Sequence, residues 1–261
     1  MTRKRIWIAF ALILVGVALC AGLIAPHDPY ETNAALIRLA PCRAYPFGTD
    51  QLGRCVFSRV LYGARTTLSA AFFLIAISFV IGCMIGMLCG YFGGIADGIL
   101  MRIANLFLAL PQMVIAIVIA GILGGGLSGA LIALGATMWV HFAYQARSHT
   151  YMIKQQAYIT AARLSGKSSL YICLYHILPN LLLPLATNAL TQIGSTIIAI
   201  SGMSFLGIGV EVPKPEWGAM ISEARAYLQL APWCVLFPAL AIILTVITFN
   251  ELGDLLMEKE A

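Results

Sequence analysis

Apolar runs of about 20 residues, long enough to cross the hydrocarbon core of a bilayer, recur along this chain and constrain its fold more than any other feature. The first covers residues 6–25, directly behind Arg3, Lys4 and Arg5. Five more cover about 66–89, 100–123, 127–144, 181–200 and 235–249. In lipid every backbone N–H and C=O must be satisfied within the structure itself, so such runs become helices. The composition agrees: 61% of residues are hydrophobic and 10% charged, against about 25% charged in soluble domains. The expected fold is an all-α membrane protein with six transmembrane helices.

Residues 1–65 read as an anchor helix followed by a polar loop, and residues 66–261 as the core with the other five spans. The run 6–25 is long for a cleaved signal, and "CAGLIAPHD" has no clear small-x-small cleavage site, so the anchor is expected to stay. Six spans put both termini on one side, and Arg3-Lys4-Arg5 assigns that side to the cytoplasm. Arg147, Lys154, Arg163 and Lys167, between the fourth and fifth runs, agree. Arg38, Arg43, Arg54, Arg59 and Arg65, in the first loop, run against the rule. The net charge of +5 is scattered between apolar runs. It reads as topology and headgroup contact rather than a nucleic-acid surface.

Gly82, Gly86, Gly90 and Gly94 recur every fourth residue, which lines them on one helix face and predicts a close helix–helix contact. Gly121, Gly125 and Gly129 fit a turn better. Seven cysteines include no CxxC pair. Cys20, Cys83, Cys89, Cys173 and Cys234 read as buried thiols. Cys42 and Cys55 share one loop, and a disulfide between them would need that loop to face an oxidising compartment.

Chemistry is sparse. Residues 161–168, "AARLSGKS", loosely match a phosphate loop, but that motif follows a strand and is glycine-rich. Here the context is helical and holds one glycine. The acidic residues avoid the apolar runs, and no soluble stretch is large enough for a catalytic or nucleotide-binding domain. The chain therefore lacks an energy source of its own. His27, His141, His149 and His176 show no metal-ligand spacing. His141, near Trp139 and Tyr144, is a candidate for a polar pathway.

The stretch "YITAARLSGKSSLYICLYHILPN", residues 158–180, reads as a helix broken at Gly166 and a second short helix capped by Ser168. "LPN" is expected to stop that helix and launch the fifth span. The result is an amphipathic helix-turn-helix at the membrane surface, suited to docking in a partner's groove.

This stretch resembles the loop that carries the coupling helix in membrane subunits of ATP-binding-cassette importers. The family pattern is Glu-Ala-Ala, three residues, Gly, about ten residues and an Ile-x-Pro-like end. Ala161-Ala162, Gly166 and Ile177-Leu178-Pro179 match it, while Thr160 stands where glutamate is usual. "FGTDQLGRCVFSRVLYGARTTL" resembles the start of the core in C-type permeases of the peptide/nickel branch, with Cys55 in place of the usual aspartate. "SGMSFLGIGVEVPKPEWGAMISEAR" and "FPALAIILTVITFNELGD" resemble later parts of the same subunit, so the likeness covers about residues 47–254. Arg163-Leu164-Ser165-Gly166 and the 202–207 segment resemble nickel permeases in wording; the remainder is shared with peptide permeases.

The resemblance implies a type I ABC importer permease fold, with an extracytoplasmic loop after the anchor and a cytoplasmic coupling helix at about 155–177. It implies a non-catalytic subunit in the bacterial cytoplasmic membrane that translocates nickel, free or chelated, or short peptides. The expected partners are a homologous second permease, two ATPase subunits that bind ATP and Mg, and an extracytoplasmic solute-binding protein. No cofactor or metal is expected in this chain. ATPase coupling would fall to Thr160, Ala161, Ala162, Arg163, Gly166, Tyr171 and Pro179, and the pathway to His141, Met203 and Phe205. The competing reading is a stand-alone secondary transporter or channel.

Overall fold

The computed structural model describes residues 2–257; Met1 and residues 258–261, with the acidic end of the chain, lie outside the described residues. Apart from an isolated bridge between Thr49 and Cys55, the described regular structure is helical. Helix α1 (Thr2–Leu19) and the short α2 (Ala21–Ile24) lead into a long irregular segment. Then follow α3 (Val56–Phe92), α4 (Gly94–Leu108), α5 (Gln112–Ile122) and α6 (Gly126–Lys154). Two short helices, α7 (Ala157–Leu164) and α8 (Ser169–Ile172), form a hairpin. A π-helical turn (Cys173–Ile177) joins α8 to α9 (Leu178–Phe205), and α10 (Trp217–Ala224) and α11 (Trp233–Met257) complete the chain.

Four helices are long and apolar enough to cross a membrane: Val56–Phe92, Gly126–Lys154, Ser169–Phe205 and Trp233–Leu256. The sequence reading expects six. Two departures explain the difference. Helix α1 has 18 residues and opens on Arg3, Lys4 and Arg5. The run 100–123 is split into α4 and α5, bent by 93° at the break. Pro111 is the cause: it offers no N–H and pushes the residue before it out of helical geometry.

Helix α3 also starts well before its apolar run, at Val56 rather than near residue 66. Its polar first turns are buried, with Ser58, Arg59 and Thr67 all at 2% exposure or less.

Helices α3 and α6 make the most extensive packing. A Cβ on Gly82 would lie 2.5 Å from the Trp139 carbonyl oxygen, one on Gly86 2.2 Å from that of Ala143, and one on Gly90 2.6 Å from that of Arg147. The numbers rise together, so the two helices run in the same direction. The glycine stripe thus serves a contact within the bundle. Gly94 is not part of it, because it has positive φ and open space around it.

The ends of α3 differ. At its Val56 end the segments 26–55 and 206–232 form a cap. Arg54 and Arg59, 1% exposed each, share two carboxylates there. Arg54 Nε lies 2.6 Å from Asp50 Oδ2, and Arg54 Nη2 lies 2.8 Å from Glu223 Oε2. Arg59 Nη2 lies 3.1 Å from the same Glu223 oxygen, and its Nη1 donates to the Pro29 and Pro213 carbonyls. These arginines, which counted against the charge rule, are therefore neutralised inside the cap. Burial pushes the Tyr227 phenol beside them well above its ordinary range, and the negative charges of Asp50 and Glu223 add to this.

Helix α10 is fixed across α3 and α9 by the same cap. Glu216 is fully buried and caps α10 by accepting from Ala219 N at 2.8 Å. It also accepts from Thr67 of α3 at 3.2 Å and Ser201 of α9 at 3.0 Å. Glu216 lies outside the apolar runs, as expected of the acidic residues, but the fold buries it against two of the long helices. Trp217 Nε1 donates to the Val60 carbonyl at 3.0 Å, and Ser222 Oγ donates to that of Phe205 at 2.7 Å. Cys55 is a buried thiol at the head of α3 and Cys42 an exposed one, and both are free.

Two outcomes follow from this packing. Gly86→Ala forces apart two backbones that no rotamer change can separate, and should cost about 1–3 kcal/mol, read as a lower Tm of the purified protein in detergent. Glu223→Ala leaves two buried guanidinium groups sharing one carboxylate and should cost about 3–5 kcal/mol. The same melt and the folded yield after extraction both report it.

Candidate functional site

The α7–α8 hairpin hangs between two long helices, α6 before it and α9 after it. Helix α7 follows directly on α6, with Ala157 to Leu164 free of β-branched runs apart from Ile159-Thr160. Gly166 ends it at φ 76°, a conformation that costs other residues about 1–2 kcal/mol. Ser168 then caps α8, its Oγ accepting from Tyr171 N at 3.2 Å.

One face of the hairpin is buried in a second core, separate from that of the main bundle. Ile159, Ile172, Cys173 and Ile177 pack there with Cys83, Met87 and Tyr91 of α3 and Leu181 and Leu185 of α9. The opposite face is open. Leu164 is 85% exposed, Leu170 66% and Tyr175 66%. Tyr171 and Tyr175 stack at 4.7 Å, and Lys167 Nζ stands 4.7 Å from the Tyr171 ring centre.

Tyr91 ties the hairpin to α3. Its carbonyl accepts from Lys154 Nζ at 2.5 Å, and the Lys154 and Arg163 head groups each lie 5.7 Å from its ring centre. Its hydroxyl meets Ser169 Oγ at 3.4 Å and Arg163 Nη2 at 3.5 Å. One side chain at the end of α3 thus touches the end of α6, α7 and α8. Nearby, Arg147 of α6 grips Asp97 of α4 through two bonds of 2.6 Å.

"LPN" does not stop the helix. Leu178 N donates to the Cys173 carbonyl, five residues back, and the backbone runs from Ser169 through Phe205 as one helix. A proline ring crowds the carbonyl four residues before it, and a widened π turn relieves that crowding. The Asn180 side chain donates to the His176 carbonyl at 2.6 Å.

Residues 82–259 match the family described as "Binding-protein-dependent transport system inner membrane component". The chain belongs to that family. It is 39% identical to the glutathione transport system permease protein GsiD of Pectobacterium atrosepticum, over 94% of this chain and 82% of that one. It is 37% identical to the dipeptide transport system permease protein DppC of Alkalihalophilus pseudofirmus, over 91% of this chain and 78% of that one. A solved structure titled "Inward facing conformations of the MetNI methionine ABC transporter" superposes with a TM-score of 0.63 at 19% identity, covering 78% of this chain and 97% of the other. That likeness shows the fold, the type I ABC importer permease fold. The protein is accordingly a non-catalytic permease component of an inner-membrane ABC importer.

The expected coupling residues of this permease fall on both faces of the hairpin. Thr160, Ala161, Arg163 and Gly166 are exposed, and Ala162 is half-buried against the second core. Tyr171 is 36% exposed, and Pro179 lies in the first turn of α9. The expected pathway residues are not gathered. His141 faces outward from α6, Met203 is fully buried in the main core, and Phe205 is half-buried with Arg225 5.7 Å from its ring.

Tyr91 and Lys154 have no counterpart among those expectations. A partial signal exists, because Cys83, Met87 and Tyr91 recur every fourth residue beside the glycine stripe. Tyr91→Ala removes two cation–ring contacts and two long hydroxyl contacts, so transient opening of the hairpin should rise about tenfold. Limited trypsin cleavage after Arg163 and Lys167 reads this rate, and Tyr91→Phe should stay near wild type.

Proposed function

We propose that this permease imports short peptides, glutathione included, as one half of a heterodimeric pore powered by two cytoplasmic ATPases and fed by an extracytoplasmic solute-binding protein. The α7–α8 hairpin is its coupling element, corresponding to about residues 155–177. The observation that carries the reading is the hairpin's two faces: the inner one packed into α3 and α9, the outer one an open apolar and aromatic surface.

The chain crosses the membrane six times. Helices α3 and α6 run in the same direction, so the bent α4–α5 pair carries the chain back between them, and α1 supplies the sixth crossing. Lys154, Arg163 and Lys167 lie at the hairpin end, which makes that end and both termini cytoplasmic. Residues 1–65 are then the anchor helix, the extracytoplasmic loop and the head of α3, and residues 66–261 hold most of the core. Hydrolysis of ATP with Mg belongs to the partner subunits.

Peptide cargo is favoured over nickel by the relatives, which are glutathione and dipeptide permeases. Among the described residues no group of three or more His, Cys, Asp or Glu could hold a metal ion. The test is reconstitution of the full importer in liposomes, with uptake of labelled dipeptide, glutathione and nickel compared. ATP-dependent peptide uptake is expected. Nickel uptake alone would reassign the cargo, and flux through this chain without ATPases would return it to the secondary transporters. In the same assay Gly166→Val should lower uptake per ATP hydrolysed. The site has open space for a side chain, so the cost arises from its positive φ, which reorients α7 against α8.

A further inference from the structure

We propose that the cleft between α3 and the α8–α9 rod binds one anionic phospholipid, with an acyl chain in the cleft and the phosphate at Arg163 and Lys167. Its placement in the cytoplasmic leaflet rests on the reading that the hairpin end is cytoplasmic; the site itself does not.

Shape is the first argument. The cleft holds about 470 Å³. Val80, Met84 and Leu88 of α3 form one wall and Leu174, Leu178 and Leu182 the other, and no lining side chain carries a charge, an amide or a hydroxyl. A cavity with such walls takes hydrocarbon rather than water.

Depth is the second argument. Along α3 the cleft covers residues 79–88, a rise of about 14 Å. That is one leaflet, half of the hydrocarbon core of about 30 Å. Toward the cap, α1 lies against α3 beside Leu68 and Phe72. A full-length helix of another subunit therefore has no uninterrupted track along this side of α3, whereas a chain one leaflet long has.

Charge is the third argument. The cleft ends at the hairpin, where Tyr91 follows Leu88 on the same side of α3 and its hydroxyl meets Ser169 and Arg163. Arg163 and Lys167 are exposed there, and each meets a ring rather than an anion: Tyr91 for Arg163 and Tyr171 for Lys167. A ring face attracts a cation but leaves its charge uncompensated. Residues 98–210 contain no Asp or Glu that could answer it. A lipid phosphate supplies the missing charge at the level where its chain enters the cleft. The lipid then lies between the two helices that carry the hairpin, so headgroup charge tunes how freely the hairpin moves.

The test uses the assembled importer in phosphatidylcholine liposomes with a trace of phosphatidylglycerol that carries a photoreactive diazirine in one acyl chain. The probe occupies both leaflets, so the outcome does not depend on orientation. Adducts mapped by mass spectrometry are expected within 79–88 and 170–182, at about ten times the level on Phe73, which is exposed on α3 outside the cleft. Unlabelled phosphatidylglycerol should displace the probe far better than added phosphatidylcholine. Lys167→Gln should lower that preference about fivefold, and Arg163→Gln/Lys167→Gln should bring it near equality. Met84→Trp/Leu174→Trp, which fills the cleft, should remove the cleft adducts and leave those on Phe73. Equal labelling of the cleft and Phe73 would overturn the proposal, since it marks ordinary bilayer contact. So would a cleft without adducts that cross-links instead to the second permease, or a preference that survives both charge substitutions. A wild-type complex without ATP-driven uptake would count against the importer reading and leave the adduct map standing.

Discussion

Where Gly86 of α3 faces the Ala143 carbonyl of α6, two helices meet backbone to backbone, with no room for a methyl group between them. The hydrophobic effect does not hold helices together in lipid, so close van der Waals contact must do so. Three glycines, Gly82, Gly86 and Gly90, each one turn further along α3, carry that contact through the last third of the helix. Since the helices are parallel, the contact also dictates topology, because the chain must return the length of the bundle between them. The return through α4 and α5 and the anchoring of α4 to α6 through Asp97 and Arg147 go with that one alignment, while the bend between α4 and α5 comes from Pro111.

The two ends of α3 are held by different kinds of interaction. At the cap, paired charges and the Glu216 carboxylate are removed from water and satisfied by several donors each. Such networks contribute little net stability but are costly to break singly, so they favour one fixed arrangement. At the hairpin, cations lean on the ring of Tyr91 and weak contacts surround its hydroxyl. Those contacts are worth about 0.5–2 kcal/mol each, and they can be exchanged without burying a bare charge. The structure is stiff where the cap covers the bundle and yielding where the hairpin meets it.

Much of this was legible in the chain and some was not. The apolar runs marked α3, α6, α9 and α11, because length and hydropathy alone decide them. The glycine stripe foretold a close contact, and Gly166 and Ser168 foretold the break in the hairpin, since a positive φ and a cap are local properties. Pro111 and Pro179 were visible as disruptors, but their outcomes differ. One breaks a helix through 93° and the other is absorbed by a π turn. Sequence cannot separate these, because the answer depends on whether the neighbouring turns are packed. Arg54 and Arg59 were misjudged for a related reason. A charge counts as a loop charge until the fold brings its partner, and Glu223 lies 169 residues from Arg54. Tyr91 escaped notice because its role comes from three elements meeting it.

Absorption of Pro179 bears on how the hairpin is connected to the rest. A helix that ended at "LPN" would leave α8 joined to α9 through a loop, and a loop dissipates displacement. The π turn instead carries the backbone through the proline, so α8 and α9 form one rod of 37 residues. Its far end is bound at Ser201 by Glu216, and Gly218 of α10 is pressed against the backbone of the same serine. Helix α3 makes a second such rod, with Tyr91 at the hairpin and Thr67 at Glu216. Both rods therefore run from the hairpin to α10. A push on the hairpin reaches the cap along two continuous helices that α10 keeps in register, so it displaces them together rather than prising them apart.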